Sequence, residues 1–339
     1  MIIQQRRAVG TGQPGDPTVD PRPAARPGAT EEPAWLWESL RSRFWDPTDL
    51  ARGLRHAGRL EPEQRARAAH WWSLLAAADQ LGPRMYAAAF VRATERHDSD
   101  QVRWSLVAML RDELQHEQLF RQGLQRLLSG GRGQAEPGTF PGPADQYLRR
   151  VNREAERRWH GYEQALDRYG IAAVSGGLLL GALVTGDLYG RCASGCAIPA
   201  FATAFRHLSQ DAKRHQGALR ALVARDWPSL PAAERAEAAA QVQATAGFLT
   251  TVMLDPSARS LGRPEPGDPA GRPVAARQEA LGVPSEEERL EILRAALLRT
   301  RDLQRLHGVP FPAMPTLAIP GTERAARADH QGGEEHARL

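Results

Sequence analysis

Two stretches of the chain carry side chains whose types and spacing suit metal chemistry. The first reads Asp112-Glu113-Leu-Gln-His116 and the second Asp211-Ala212-Lys-Arg-His215. A carboxylate and an imidazole at i, i+3 share one face of a helix. A Glu-x-x-His pair from each of two helices, with a glutamate from each of two others, is the ligand pattern of carboxylate-bridged two-metal bundles. A hydrogen-bonded Glu–His pair explains one such motif equally well. The second copy sharpens the reading because it is imperfect. Ala212 stands where the repeat requires a glutamate, and alanine binds no metal.

The elements that position these residues are legible from periodicity. Gln101 to Leu128 has no proline and no glycine before Gly123, and predicts one long helix. Leu106, Leu110, Phe120 and Leu124 form its apolar stripe, and Glu113 and His116 fall inside that stripe. Pro199 to Ala224 predicts a second helix with Phe201, Phe205, Leu208, Ala212, His215 and Leu219 on its core face. The two histidines lie 99 positions apart, so the halves repeat one hairpin. Each hairpin partner must supply a carboxylate opposite its motif. Reflecting Glu113 through the turn at His97-Asp98 lands near residue 82, where only Asp79 is a usable ligand. Reflecting Ala212 through the turn near Gly195 to Ile198 lands near 181, among Leu178, Gly181 and Val184. The expected donor set is therefore Glu113, His116, His215 and Asp79, too few carboxylates to neutralise two ferric ions in a dry core. The reading that follows is a vestigial site without bound metal or catalytic residues. In it Glu113, His116, Asp211 and His215 satisfy one another by hydrogen bonds.

The remaining composition narrows the class. At 339 residues, 42% hydrophobic and 25% charged, the chain reads as an ordinary soluble globular protein. The net charge of +4 is carried by arginines scattered among acids, with Lys213 the sole lysine. That pattern argues against a nucleic-acid surface. The first fifteen residues lack an apolar segment, so no signal peptide is expected. The glycine-rich apolar run from Ile171 reads as a buried core helix rather than a membrane span. Cys192 and Cys196 alone form neither a disulfide framework nor a zinc site, consistent with a reducing cytoplasm. The organisation expected is all-α. A flexible arm covers 1–34, a helical bundle 35–254, a linker 255–275, a C-terminal helical segment 276–307 and a tail 308–339. Glu61 to Glu95 predicts a helix broken near Gly82-Pro83. Ser285 and Glu288 predict a capping box for the last helix. Trp35, Trp37, Phe44 and Trp45 form an aromatic cluster that must bury either on the bundle or on a partner chain, with anchoring on a partner the expectation.

The stretch Asp211-Ala212-Lys-Arg-His215, running on through Ala218-Leu219 to Val223, resembles the D-A-x-R-H motif of the hydroxylase β subunit of bacterial multicomponent monooxygenases of the toluene, phenol, alkene and methane type. Trp45-Asp46-Pro47 through Leu50 and Ala165 through Ala173 are similar to other segments of that family, and the likeness spans about residues 35 to 255. It implies a ferritin-like, ribonucleotide-reductase-R2-like bundle with extra C-terminal helices, and no cofactor in this chain. The di-iron centre would lie in a partner α subunit, with a small γ subunit, an effector protein and a reductase completing the system. Asp112-Glu113-Leu-Gln-His116 departs from the β pattern and looks like an intact motif. It keeps open a self-contained R2-like oxidase or oxygenase with an unusual ligand set.

Overall fold

A computed structural model describes residues 45–53, 60, 62–129, 143–254 and 281–311. The described residues are helical and contain no strand. In chain order the helices are α1 (Pro47–Gly53), α2 (Pro62–Asp79), α3 (Leu81–Glu95), α4 (Asp100–Ser129), α5 (Pro143–Tyr169), α6 (Ile171–Gly195), α7 (Pro199–Asp226), α8 (Ala232–Met253) and α9 (Glu286–Leu306). The two motif helices α4 and α7 run slightly longer than periodicity suggests. The expected break falls at Gln80, between α2 and α3, and Pro83 then sits in the first turn of α3, where its missing N–H costs nothing. The linker, arm and tail expected from composition lie outside the described residues, apart from Val309 to Phe311 and their neighbours at the end of α9.

Short connections make neighbours antiparallel. Ser209 Oγ donates to Gly186 O at 2.8 Å and Gln216 Nε2 to Ala182 O at 3.0 Å, so α7 descends as α6 ascends. Helix α5 instead runs alongside α2 and α3 in the same direction. Gln80 meets Asn152, Arg84 meets Glu156 at 2.6 Å, and Arg92 meets Asp167 at 2.7 Å. These ion pairs are largely exposed and add little stability. Only Gly170 separates α5 from α6. Its φ of +85° is open to glycine at low cost, and this permits so abrupt a reversal. Helix α9 starts at the expected capping box, with Glu288 N donating to Ser285 Oγ at 3.1 Å. It is tied to α6 by Arg191–Glu288 and Arg299–Asp187 pairs.

Helix α6 is long and apolar enough to cross a membrane, yet 78% of its most apolar window is buried inside the protein. Its glycines let α7 and α8 approach closely. Below the motif residues, Trp72 of α2 packs on Phe120 of α4 and on Phe201 and Phe205 of α7, with centroids 5.3 to 5.8 Å apart. All four rings are essentially inaccessible. This aromatic layer closes one end of the space between the helices. Trp72→Ala should destabilise the protein by about 3–5 kcal/mol. A lower urea midpoint at unchanged slope would show it.

Candidate functional site

The repeat seen in the sequence becomes a two-fold cluster. Helices α4 and α7 cross antiparallel, so Asp112 faces His215 while Asp211 faces His116. His116 Nε2 lies 3.0 Å from Asp211 Oδ2, and His215 Nε2 lies 3.3 Å from Asp112 Oδ2. Each aspartate thus holds the imidazole of the other helix, and each ring turns its Nδ1 inward. There the two rings flank Glu113. His215 Nδ1 is 3.3 Å from Oε1, and His116 Nδ1 is 3.7 Å from Oε2. The ring centroids stand 6.4 Å apart. The structure therefore brings Glu113, His116, Asp211 and His215 into one cluster.

Residues outside that set complete it. Arg214 pairs with Asp211 and, at 3.3 Å, with Asp112, and Arg111 reaches Asp112 from the rim at 2.7 Å. Asp79, at the end of α2, stands 3.9 Å from His116 Nδ1. Tyr189 donates to its Oδ1 at 3.5 Å, and its buried Oδ2 has no partner. Tyr86 presents its ring to His215 at 5.7 Å. Gly82 explains the helix break chemically: a methyl at this position would overlap the Glu113 carboxylate. Asp79 and Gly82, the positions that reflection through the turn predicts, are thus the neighbours of Glu113.

Trp45 corrects an expectation. It does not face a partner. It is 7% exposed, donates from Nε1 to Asp211 Oδ2 at 2.8 Å, and stacks on His116 and His207. Gln115 Nε2 fixes its backbone carbonyl at 3.1 Å. An indole N–H needs an acceptor when buried, and a buried carboxylate needs donors; each meets the other's need. Trp35, Trp37 and Phe44 lie outside the described residues. Asp112 corresponds to Asp211 across the repeat and joins the bonded set, although the set expected from sequence does not include it. The repeat itself held the signal, since a two-fold arrangement that uses Asp211 must use Asp112.

The electrostatics are those of a closed network. Burial works against charged imidazoles, but the Asp211 and Glu113 carboxylates hold His116 well above its usual range, and Asp112 and Glu113 raise His215. Burial would raise Glu113 and Asp112, yet both are held low, Glu113 by the two histidines and Asp112 by His215 and Arg111. Inside the cluster, Asp112, Asp211 and Glu113 face His116, His215 and Arg214, and Arg111 adds a fourth cation at the rim. Asp79 is left over. Burial, and then the Glu113 charge, push its carboxyl up to about 8, so it stays protonated at neutral pH.

A cavity of about 110 Å³ adjoins the cluster. Asp79, Glu113, His116, His215, Ala212 and Gly181 all line it. A methyl added to Gly181 would meet nothing within 4 Å. These are the places where a second motif glutamate and its facing carboxylate would project. The residues present therefore do not fit a carboxylate-bridged two-metal centre. They do contain one smaller donor group: ligand atoms of Asp79, Glu113 and His116 lie within 4.8 Å of one another. Comparison with protein-family models, curated proteins and solved structures finds no match.

Two outcomes test this electrostatic picture. An acid with a raised folded pKa subtracts stability once pH exceeds its unfolded value of 3.8, and the loss accrues until about 8. Asp79→Asn should therefore stabilise the protein at pH 7, on the order of 2 kcal/mol or more, with the gain shrinking toward pH 4. An equal effect of the substitution at both pH values would contradict a protonated Asp79. Glu113→Ala should cost about 1–3 kcal/mol by leaving two inward imidazoles facing each other. Its pH dependence follows from the signs. The stability that Glu113 supplies by its depressed pKa is present above pH 4.5 and lost as pH falls toward its folded value, so the penalty should fade in acid.

Proposed function

We propose that this chain is a non-catalytic subunit of a di-iron multicomponent monooxygenase, the β-type partner of an α subunit that carries the metal. The observation that supports it most is the half-empty ligand set. Ala212 and Gly181 open onto the cavity where carboxylates would bridge two irons, while the surrounding aspartates and Arg214 form a closed network. On this reading the chain is a cytoplasmic ferritin-like, R2-like bundle used as a scaffold. The reaction, hydroxylation of aromatic, alkene or alkane hydrocarbons with dioxygen, takes place in the partner, with a γ subunit, an effector protein and a reductase serving the assembly. Trp45 faces inward and is not itself a docking element. Trp104 and Leu114 of α4 are each more than half exposed and are candidates for a hydrophobic contact.

The orphaned Asp79 Oδ2 favours a second reading, in which the chain itself holds one divalent ion. Asp79, Glu113 and His116 would bind it, with His215 on the far side of Glu113, and two carboxylates would balance its charge. A redox-active ion held there would supply an electron donor for dioxygen. The protein's part is to fix both rings through Asp112 and Asp211 with Nδ1 inward. Binding would also release protons from Asp79 and the imidazoles.

Coexpression with the neighbouring genes, followed by purification and metal analysis, separates these readings. A scaffold subunit should copurify with a longer chain that contains the iron, and should hold well under one metal ion per chain when isolated. One tightly held ion that is lost in Asp79→Asn would establish the second reading. Two irons per isolated chain would refute both.

A further inference from the structure

The cavity beside the network reaches a second charged group that takes no part in it. Arg158 of α5 is 5% exposed and lines the same cavity as Asp79 and Glu113. Its Nε donates to Thr245 Oγ1 at 3.1 Å and its Nη1 to Gln241 Oε1, whereas Nη2 is buried and unpartnered. Both partners are neutral. Thr245 donates to Gln241 O at 2.9 Å. Gln241 Nε2 donates to Gly161 O at 3.1 Å and to Glu237 Oε1 at 2.8 Å, so Glu237 is joined to Arg158 only through an amide. Among the described residues no carboxylate pairs with Arg158. Burial pushes its pKa down to about 10, which leaves it charged at neutral pH. The Tyr162 ring lies 5.7 Å from the guanidinium carbon and Glu237 acts on it from a distance, but a buried cation without a directly paired carboxylate is costly in a protein interior.

The surroundings are shaped around that free nitrogen. A methyl on Gly177 would lie 2.9 Å from Arg158 Nη2 and 2.8 Å from Thr245 Oγ1, so the guanidinium reaches the cavity because position 177 is glycine. One turn along α6, about 6 Å away, is the open space at Gly181. Leu178, Met85, Phe248 and Leu249 supply apolar wall. At a water's share of about 30 Å³, the 110 Å³ would take three or four waters. Most of the wall offers them no hydrogen bonds, and an engineered apolar cavity of roughly 150 Å³ binds benzene instead of filling with water.

We propose that this cavity is a binding site for a small monocarboxylic acid. Arg158 Nη2, which lies against Gly177, turns toward the cavity and donates a hydrogen bond to the carboxylate, and an apolar tail of about three to five carbons lies along Gly181 toward Met85, Phe248 and Leu249. A carboxylate matches the guanidinium in charge and geometry. A neutral hydrocarbon or amide would leave the cation unpaired. Chloride would leave the apolar space unfilled, and a dicarboxylate would bring a second negative charge toward Glu113. The site stands whether or not the chain is a monooxygenase subunit.

Calorimetric titration and thermal melting of the full chain with pentanoate, pentanamide and chloride at matched ionic strength test it. Pentanoate should bind saturably, at least tenfold more tightly than pentanamide, and should raise the melting temperature where chloride does not. Arg158→Met should abolish the preference for the acid over the amide, because the guanidinium that tells them apart is gone. Gly181→Leu fills the cavity and leaves Arg158 in place; it should remove pentanoate binding, and it decides the matter if Arg158→Met fails to fold. Equal affinity for acid and amide, an equal effect of chloride, or unchanged pentanoate binding in Gly181→Leu would each overturn the proposal. Copurification with a catalytic chain is read separately, so either idea can fail alone.

Discussion

The crossed pairing of aspartate and histidine between α4 and α7 is the constraint on which the interior depends. Four ionisable groups at the centre of a bundle would be costly if each were desolvated alone. Placed in antiparallel register, each acid finds the base of the other helix, and Glu113 joins the two inward nitrogens. Moving either helix by one residue would break both pairs together. The network thus fixes the register of two long helices whose apolar contacts, mostly Leu, Ala and Phe, would tolerate sliding. Buried polar groups that specify one arrangement over others act in this way.

Around this constraint the fold supplies closure. The layer of Trp72, Phe120, Phe201 and Phe205 seals one end. Trp45 covers the outer side of His116 and Asp211, and Gly82 lets Glu113 lie close against α3. What remains open is the side toward α6 and α8, where Gly177 and Gly181 replace side chains with space. The cavity is therefore a consequence of missing side chains on one helix face, bounded by the most strongly determined part of the molecule.

Much of this was legible in the sequence. Helix periodicity, the glycine and proline punctuation and the Ser285 to Glu288 capping box place the long helices to within a few residues, while the short α1 is not foreseen. The repeat of Asp112-Glu113-Leu-Gln-His116 in Asp211-Ala212-Lys-Arg-His215 locates the site, and reflection through the turns finds Asp79, Gly82 and Gly181. Three features were not legible. Trp45 looked like an anchor for another chain because its acceptor, Asp211, is 166 residues away. Arg158 resembles any other arginine on a charged helix, since its burial depends on the placement of α8 and on a glycine in α6. The protonated state of Asp79 follows from three-dimensional burial beside Glu113, which no spacing rule encodes. In each case the decisive partner lies far away in the chain.

The closed network also limits which ligand sets this scaffold can reach one mutation at a time. A glutamate at position 212 would place a further acid in a cluster whose buried histidines and Arg214 are already engaged by Asp112, Asp211 and Glu113. Without metal it would either lie unpaired in the core or be held protonated like Asp79, and the folded chain would bear that cost before any new ligand function appeared. A carboxylate at 181 alone meets the same obstacle. Changes at both positions would have to arrive together, with metal at hand. The network therefore acts as a ratchet: substitutions that keep the cavity free of acid are readily accepted, and single steps toward a two-metal ligand set are selected against on folding alone.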